Sequence, residues 1–362
     1  MKKSMALLLT IALVMMLLAG CTGTTVVIGE CTCPPDSHTD TPTNTDTPAA
    51  EPAEGSVKTG LAVFTSISKS ADATADEPGK ADYDITIAAV TVDDDGVIRS
   101  CTIDSVPATV SFGADGVITS DLSASFLTKN EKGADYGMVA YGGAIAEWDE
   151  QVAALASYAV GKTVEELKNG AIDESGKAPE GSDLASSATI YLGGYVSAIE
   201  AAAANAQHLG AQAGDELVLV TLNSASSSTS ATADAAGNAQ LDANIAVITR
   251  NGDVITSCII DAVQAKIAFD ASGTITSDLT APIQTKNELG EAYGMVAYAG
   301  AIAEWNEQAA SFAKYVTGKT ADEVAGIAVT ETTKPADGTD LASSVTIAIG
   351  GFQALIAKAM QG

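Results

Sequence analysis

Residues 84–103 read Asp84-Ile-Thr-Ile-Ala-Ala-Val-Thr-Val-Asp-Asp-Asp-Gly-Val-Ile-Arg-Ser-Cys-Thr-Ile103. Ile85, Ile87, Val90 and Val92 give the weak apolar alternation of a strand. Asp93-Asp-Asp-Gly then supplies turn residues, and Val97 to Ile103 returns as the hairpin partner. Upstream, Leu61-Ala-Val-Phe-Thr-Ser-Ile is also strand-like. Downstream, Ala114-Asp115-Gly116 signals a further hairpin. After it the period changes. Ile145, Trp148, Val152, Leu155 and Ala159 recur every three or four residues, which is one face of a helix, and Gly161 stands where such a helix ends. Strands followed by helices predict an α+β domain, an antiparallel sheet of hairpins packed with C-terminal helices.

The pattern occurs twice. Trp148 matches Trp305, Cys101 matches Cys258 and Asp183 matches Asp340, all at one constant spacing. Tyr136-Gly-Met-Val-Ala-Tyr reappears at Tyr293, and Gly161-Lys-Thr at Gly318. Val218-Leu-Val-Thr-Leu, the Asn251-Gly turn and Ala271-Ser272-Gly273 repeat the strands and turns. Ile302, Trp305, Ala309, Phe312 and Val316 repeat the helical face. A repeat this long predicts a duplicated domain, at 57–207 and 215–362, with 208–214 as the linker. Trp148 and Trp305 lie on the apolar stripe, so core packing is expected of them. Tyr136 and Tyr293 precede a glycine, where an aromatic can stack on a planar cofactor or plug the end of the core. Cys101 and Cys258 lie in strand-like runs, where a small buried apolar role is expected.

The N-terminal segment reads as targeting rather than fold. Lys2 and Lys3 precede an apolar run, Ala6 to Leu18, which ends in Leu18-Ala19-Gly20-Cys21. This ending resembles the lipobox of bacterial lipoproteins; the alternatives are a plain secretory signal or a membrane-spanning anchor. The resemblance implies a signal peptide at 1–20 and a lipid on Cys21. The protein would then be extracytoplasmic, lipid-anchored to the outer face of the cell membrane. The stretch to residue 56, rich in Pro, Thr and Asp, reads as a disordered tether. Cys31 and Cys33 lie in it without the matching pair a metal site needs, and no role is assigned to them.

The formal net charge of −28 argues against nucleic acid and anionic lipid headgroups as partners. The hydrophobic fraction of 46% is that of folded domains, so the acidity does not signal disorder. The two histidines are His38, in the tether, and His208, in the linker. Neither repeat holds one, which disfavours hydrolases built on Ser/His or Cys/His and removes the commonest metal ligand.

Each repeat closes on one heptapeptide: Asp183-Leu-Ala-Ser-Ser-Ala-Thr189 and Asp340-Leu-Ala-Ser-Ser-Val-Thr346. The bland reading is a helix N-terminus, where Ser, Thr and Asp gather as caps. These stretches also resemble the Asp-x-x-Ser-Gly-Ala-Thr pattern of the FMN-binding domain family, on which flavinyl transferases attach FMN through the threonine. Asp183, Ser186, Ala188 and Thr189 match, as do Asp340, Ser343 and Thr346. The glycine is replaced by Ser187 and Ser344, and the alanine by Val345 in the second repeat. The resemblance covers about half of each repeat, and the helix carrying Trp148 has no place in it.

The resemblance implies FMN held as a phosphoester on Thr189 and Thr346. A following helix, through Val196, Ile199 and Ala203, would offer amides to the phosphate. Ser186 and Ser343 would donate to the phosphate or cap that helix, and Asp183 and Asp340 would help recruit the transferase. The chain would then be an electron carrier working with a membrane or extracellular redox partner, and not a classical enzyme. The rival expectation is a non-redox surface lipoprotein whose duplicated fold binds a ligand or partner without flavin. The Ser187 and Ser344 departures favour it, as does an aromatic content of only 5%, since flavin slots often use aromatics.

Overall fold

The structure, a computed structural model, describes residues 55–361. The expected signal peptide, Cys21, Cys31, Cys33 and all but the end of the tether lie outside the described residues. Among the described residues no helix is long and apolar enough to cross a membrane.

The first half contains strands β1 (Lys58–Ser66), β2 (Gly79–Val92) and β3 (Ile98–Phe112). They form an antiparallel sheet in the order β1-β2-β3. Helices α1 (Lys129–Lys132), α2 (Met138–Gly142), α3 (Trp148–Ala159), α4 (Val164–Ala171) and α5 (Gly193–Ala204) follow. The second half has the same order: strands β4 (Glu216–Ser224), β5 (Gly237–Asn251) and β6 (Val254–Phe269), then helices α6 (Lys286–Leu289), α7 (Met295–Ala299), α8 (Trp305–Val316), α9 (Ala321–Ala325) and α10 (Gly350–Ala359). The fold is therefore mixed α+β, built on two three-stranded antiparallel sheets. The expected hairpins turn at Asp93–Gly96 and at Asn251-Gly252, and the second is one residue shorter.

Both faces of each sheet are buried, which explains the weak alternation along the strands. Leu61, Val63, Ile85, Ile87 and Ala89 face one way, into a core shared with Leu241, Ala243, Ile245 and Val247 of the other sheet. Ala62, Ala88, Val90 and Val92 face the other way, against Trp148, Val152, Leu155, Val196 and Ile199 of α3 and α5. Ala246, Ile248 and Ile260 meet α8 and α10 in the same manner. Two sheets thus pack face to face with helices outside. At the centre Phe112 and Phe269 stack with centroids 4.1 Å apart, and the Tyr83 hydroxyl donates to the Ala239 carbonyl at 2.9 Å. Gly79 and Gly237 open β2 and β5 because a Cβ there would lie 2.3 and 2.4 Å from those phenyl rings.

Three local expectations are corrected. The second hairpin does not form as a strand pair. β3 runs on to Phe112, and the turn at 113–116 is followed by a single bridge, Phe112 to Ile118. The Ser120 hydroxyl accepts the Ser111 amide at 2.8 Å, so a side chain ends the ladder. Ile145 and Ile302 are not on the helices that follow them; each is 57% exposed. The buried Glu147 carboxylate holds the amides of Met138 and Val139 at 2.8 and 3.0 Å, turning the chain just before α3 begins. The tether ends earlier than residue 56, because its last residues pair with the joint at 208–214. Val57 donates to Ala211 at 3.0 Å and Ala213 donates to Gly55 at 2.7 Å, so Gly55 and Ser56, expected in the tether, belong to the fold.

Candidate functional site

Asp183 opens a short 3-10 turn, Leu184–Ser186, and Asp340 opens its counterpart, Leu341–Ser343. Neither carboxylate caps its turn, and both aspartates are exposed. Ser186 and Ser343 donate their hydroxyls to the carbonyls of Asp183 and Asp340 at 2.6 and 2.7 Å. They close the turn locally, so neither caps the next helix. Ala188 and Val345 are buried at 1% and 0% exposure under the two turns. The bulkier valine is therefore accommodated inside the core.

Ser187 and Ser344 sit at φ −117° and −121°. An L-residue takes that conformation freely, so the backbone here makes no demand for glycine. The strain that the serine substitutions would carry at a left-handed position is absent.

Thr189 and Thr346 meet a residue that the sequence reading passed over. Gln151 of α3 is fully buried, and its Oε1 accepts the Thr189 amide at 2.8 Å, the Thr189 hydroxyl at 3.3 Å and the Ile190 amide at 3.2 Å. Gln308 of α8 does the same for Thr346 and Ile347, at 2.8, 3.2 and 3.2 Å. Each glutamine Nε2 donates to a carbonyl before its helix, Ala146 at 2.9 Å and Ala303 at 2.8 Å. The signal in the sequence was a polar residue three positions after each tryptophan, on the buried side of an amphipathic helix. A fully buried carboxamide needs partners for all its polar atoms, and these are the ends of the heptapeptide. Thr189 remains exposed and Thr346 half-buried.

The helix expected to receive a phosphate begins later than expected. α5 starts at Gly193, four positions past Thr189, and has no side-chain cap. The amides of Leu192 and Gly193 both donate to the Gly176 carbonyl, at 2.8 and 3.1 Å. Tyr191 packs its ring over Gly176 and Gly193 and is 59% exposed. The bland cap reading fails with it, because no residue of the heptapeptide caps α5 or α10.

No family model, curated protein or solved structure matches this chain.

Trp148 and Trp305 are buried at 3% and 7%; the Trp148 indole donates to the Tyr195 hydroxyl at 2.9 Å, joining α3 to α5. The nearly buried Lys129 holds its ammonium 4.9 Å from the Trp148 ring centre and 5.4 Å from that of Tyr136. Lys286 does likewise with Trp305 and Tyr293. These aromatics are thus engaged in the core and by lysine. Cys258 is buried and Cys101 half-buried, and burial pushes both thiols up to about 12, as an unreactive packing role requires.

Proposed function

We propose that the chain is a lipoprotein held outside the cell membrane through a lipid on Cys21, built from two tandem copies of one FMN-binding-like domain. In this reading Thr189 and Thr346 each carry FMN as a phosphoester, and the protein is an electron carrier of the cell envelope. The observation that supports it most is the paired clamp. In both halves a buried glutamine fixes the backbone and hydroxyl of the same threonine, at distances that agree within 0.1 Å. The matching order of elements and the constant spacing of Trp148/Trp305 and Cys101/Cys258 support the duplication.

The turn accommodates such an attachment, although the amides of Leu192 and Gly193, expected to meet the phosphate, are spent on Gly176. Ser187 and Ser344 adopt backbone angles that leave the heptapeptide unstrained. Thr189 is exposed, as an acceptor approached by a transferase must be. Before attachment Gln151 and Gln308 orient the hydroxyls; in the phosphoester, whose oxygen no longer donates, their bonds to the backbone amides would remain. Ala188 and Val345 anchor the turn, and the exposed Asp183 and Asp340 stand where a flavinyl transferase would reach them. FMN would supply the redox chemistry, and the protein attachment and position. Two sites on one tethered chain would raise the frequency of encounter with a membrane or extracellular redox partner. The second reading is a non-redox surface module that binds a ligand; a cleft between the halves, remote in sequence from the heptapeptides, favours it.

The test is intact mass and visible absorbance of protein from cells co-expressing a flavinyl transferase, with Thr189→Ala and Thr346→Ala alongside. The carrier reading expects a yellow protein heavier by one or two FMN units, each substitution removing one. A colourless protein of unmodified mass beside an active transferase refutes it.

A further inference from the structure

A cleft of about 820 Å³ opens where β6 and α8 of the second half meet β1 of the first half and the joint. Leu61, Val63, Leu209, Ile260 and Ala313 give it apolar walls. Polar groups gather on the β6–α8 side, at Asp261, Asn287 and Asn306. The Asn306 Oδ1 is shielded from water and has no hydrogen-bond partner. Asp261, 5% exposed, already receives the amides of Ala262 and Asn287 at 2.7 and 3.1 Å through one oxygen and is hydrogen-bonded to the Thr285 hydroxyl. The Asn287 side chain is spent on the Ile260 carbonyl at 3.0 Å. The lining thus sets two carboxylates, Asp261 and Glu288, against one ammonium, Lys314. A buried acceptor left unpaired costs free energy that a ligand donor would recover. Glu288 adds a second carboxylate to the lining, and the whole chain is strongly acidic, so the field favours a cation over an anion. Lys314 and His208 also line the cleft; the His208 ring is held by Asp94 at 3.0 Å and by Ser56 at 3.1 Å.

The corresponding groove of the first half differs. It measures about 480 Å³ and is lined by residues 99–160 alone, with no wall from the other half. Its Asp149, at the position of Asn306, likewise has a shielded and unpaired Oδ1, so what sets the larger cleft apart is the second wall contributed by β1.

We propose that the cleft between the halves binds one small molecule with an apolar body and an amine head, the head donating to Asn306 and Asp261. The apolar body lies between β1 and α8, and the ammonium is the group that both the unpaired acceptor and the acidic lining select. The site does not depend on flavin at Thr189 or Thr346.

Octylamine and octanoate share a tail and differ in the charge of the head, so titration calorimetry of the full chain with each isolates the head. Saturable binding of one octylamine per chain is expected, with octanoate weaker by at least about tenfold. Ala310→Trp, an exposed position of α8 in the lining, fills the cleft and is expected to weaken octylamine by a similar factor. Ala153→Trp, the matching position of the first-half groove, is expected to leave it unchanged. Absence of saturable octylamine binding, equal binding of octanoate, or indifference to Ala310→Trp would each overturn the assignment. Circular dichroism of both variants establishes that they are folded.

Discussion

At the scale of single residues, Gln151 and Gln308 hold the heptapeptides in place. Each uses its carboxamide oxygen three times and its nitrogen once, at full burial. Gln151→Leu keeps the volume but strands the amides of Thr189 and Ile190 and the carbonyl of Ala146. Buried groups stranded in this way cost about 1–3 kcal/mol each, less whatever water can restore. A loss of about 2–4 kcal/mol in urea unfolding is expected; an unchanged midpoint would mean that water reaches these groups. The matching heptapeptide positions were visible in the sequence because all of them fall within seven residues. Their partner was not, because it lies far back in the chain and only folding brings α3 beneath the turn. The cost of the serine departures depends on the folded backbone, because a residue type does not report its φ.

Between elements, two buried carboxylates tie short helices to long strands. Asp104 of β3 accepts the Ser105 amide at 2.7 Å and the Asn130 amide of α1 at 3.2 Å; Asp261 of β6 does the same with Ala262 and Asn287 of α6. Burial pushes both carboxyls up to about 6, against the opposing pull of these amides and of the Thr128 and Thr285 hydroxyls. The folded-state value lies above the unfolded one, so the folded protein binds these protons more tightly. Their contribution is favourable below about pH 4 and is lost as pH rises through about 6. Replacing both by asparagine is expected to remove this dependence. The gap in stability between wild type and the Asp104→Asn/Asp261→Asn variant should then change by up to about 3 kcal/mol per site between pH 4 and pH 7.5. Urea titrations at the two pH values measure it, and a gap that does not vary with pH would show that the groups titrate normally. The same carboxylates lie where the strands outrun expectation. β3 runs past the expected hairpin partner Val97 to Ile103 and continues to Phe112, as β6 continues to Phe269, with a buried aspartate inside each strand.

The whole molecule is organised by its shared core. Residues from both sheets make one cluster, with Phe112 against Phe269 at its centre. Backbone bonds cross between the halves as well: Ala231 donates to Gly116 and Ala73 to Gly273, each at 2.8 Å. Neither sheet buries its inner face without the other, so the halves are expected to unfold together. Scanning calorimetry should show one transition for residues 55–361. Phe112→Ala should lower it as a whole, by about 3–5 kcal/mol of stability. Two separable transitions, with only one moved by the substitution, would refute a shared core.

The sequence by itself determined that strands precede helices in each half, the hairpin turns at Asp93 and Asn251, the apolar faces of α3 and α8, and the twin heptapeptides. These follow from local rules: side-chain period, turn chemistry and helix-ending glycines act over a few residues. Only the tertiary structure decided that both faces of each sheet are covered, that the halves share a core, and that Gln151 and Gln308 grip the threonines. It also decided that a cleft forms between β1 and α8. Each of these joins groups distant along the chain. A weakly alternating strand such as Ile85–Val92 is compatible with one covered face or two, and which one occurs depends on what packs against it.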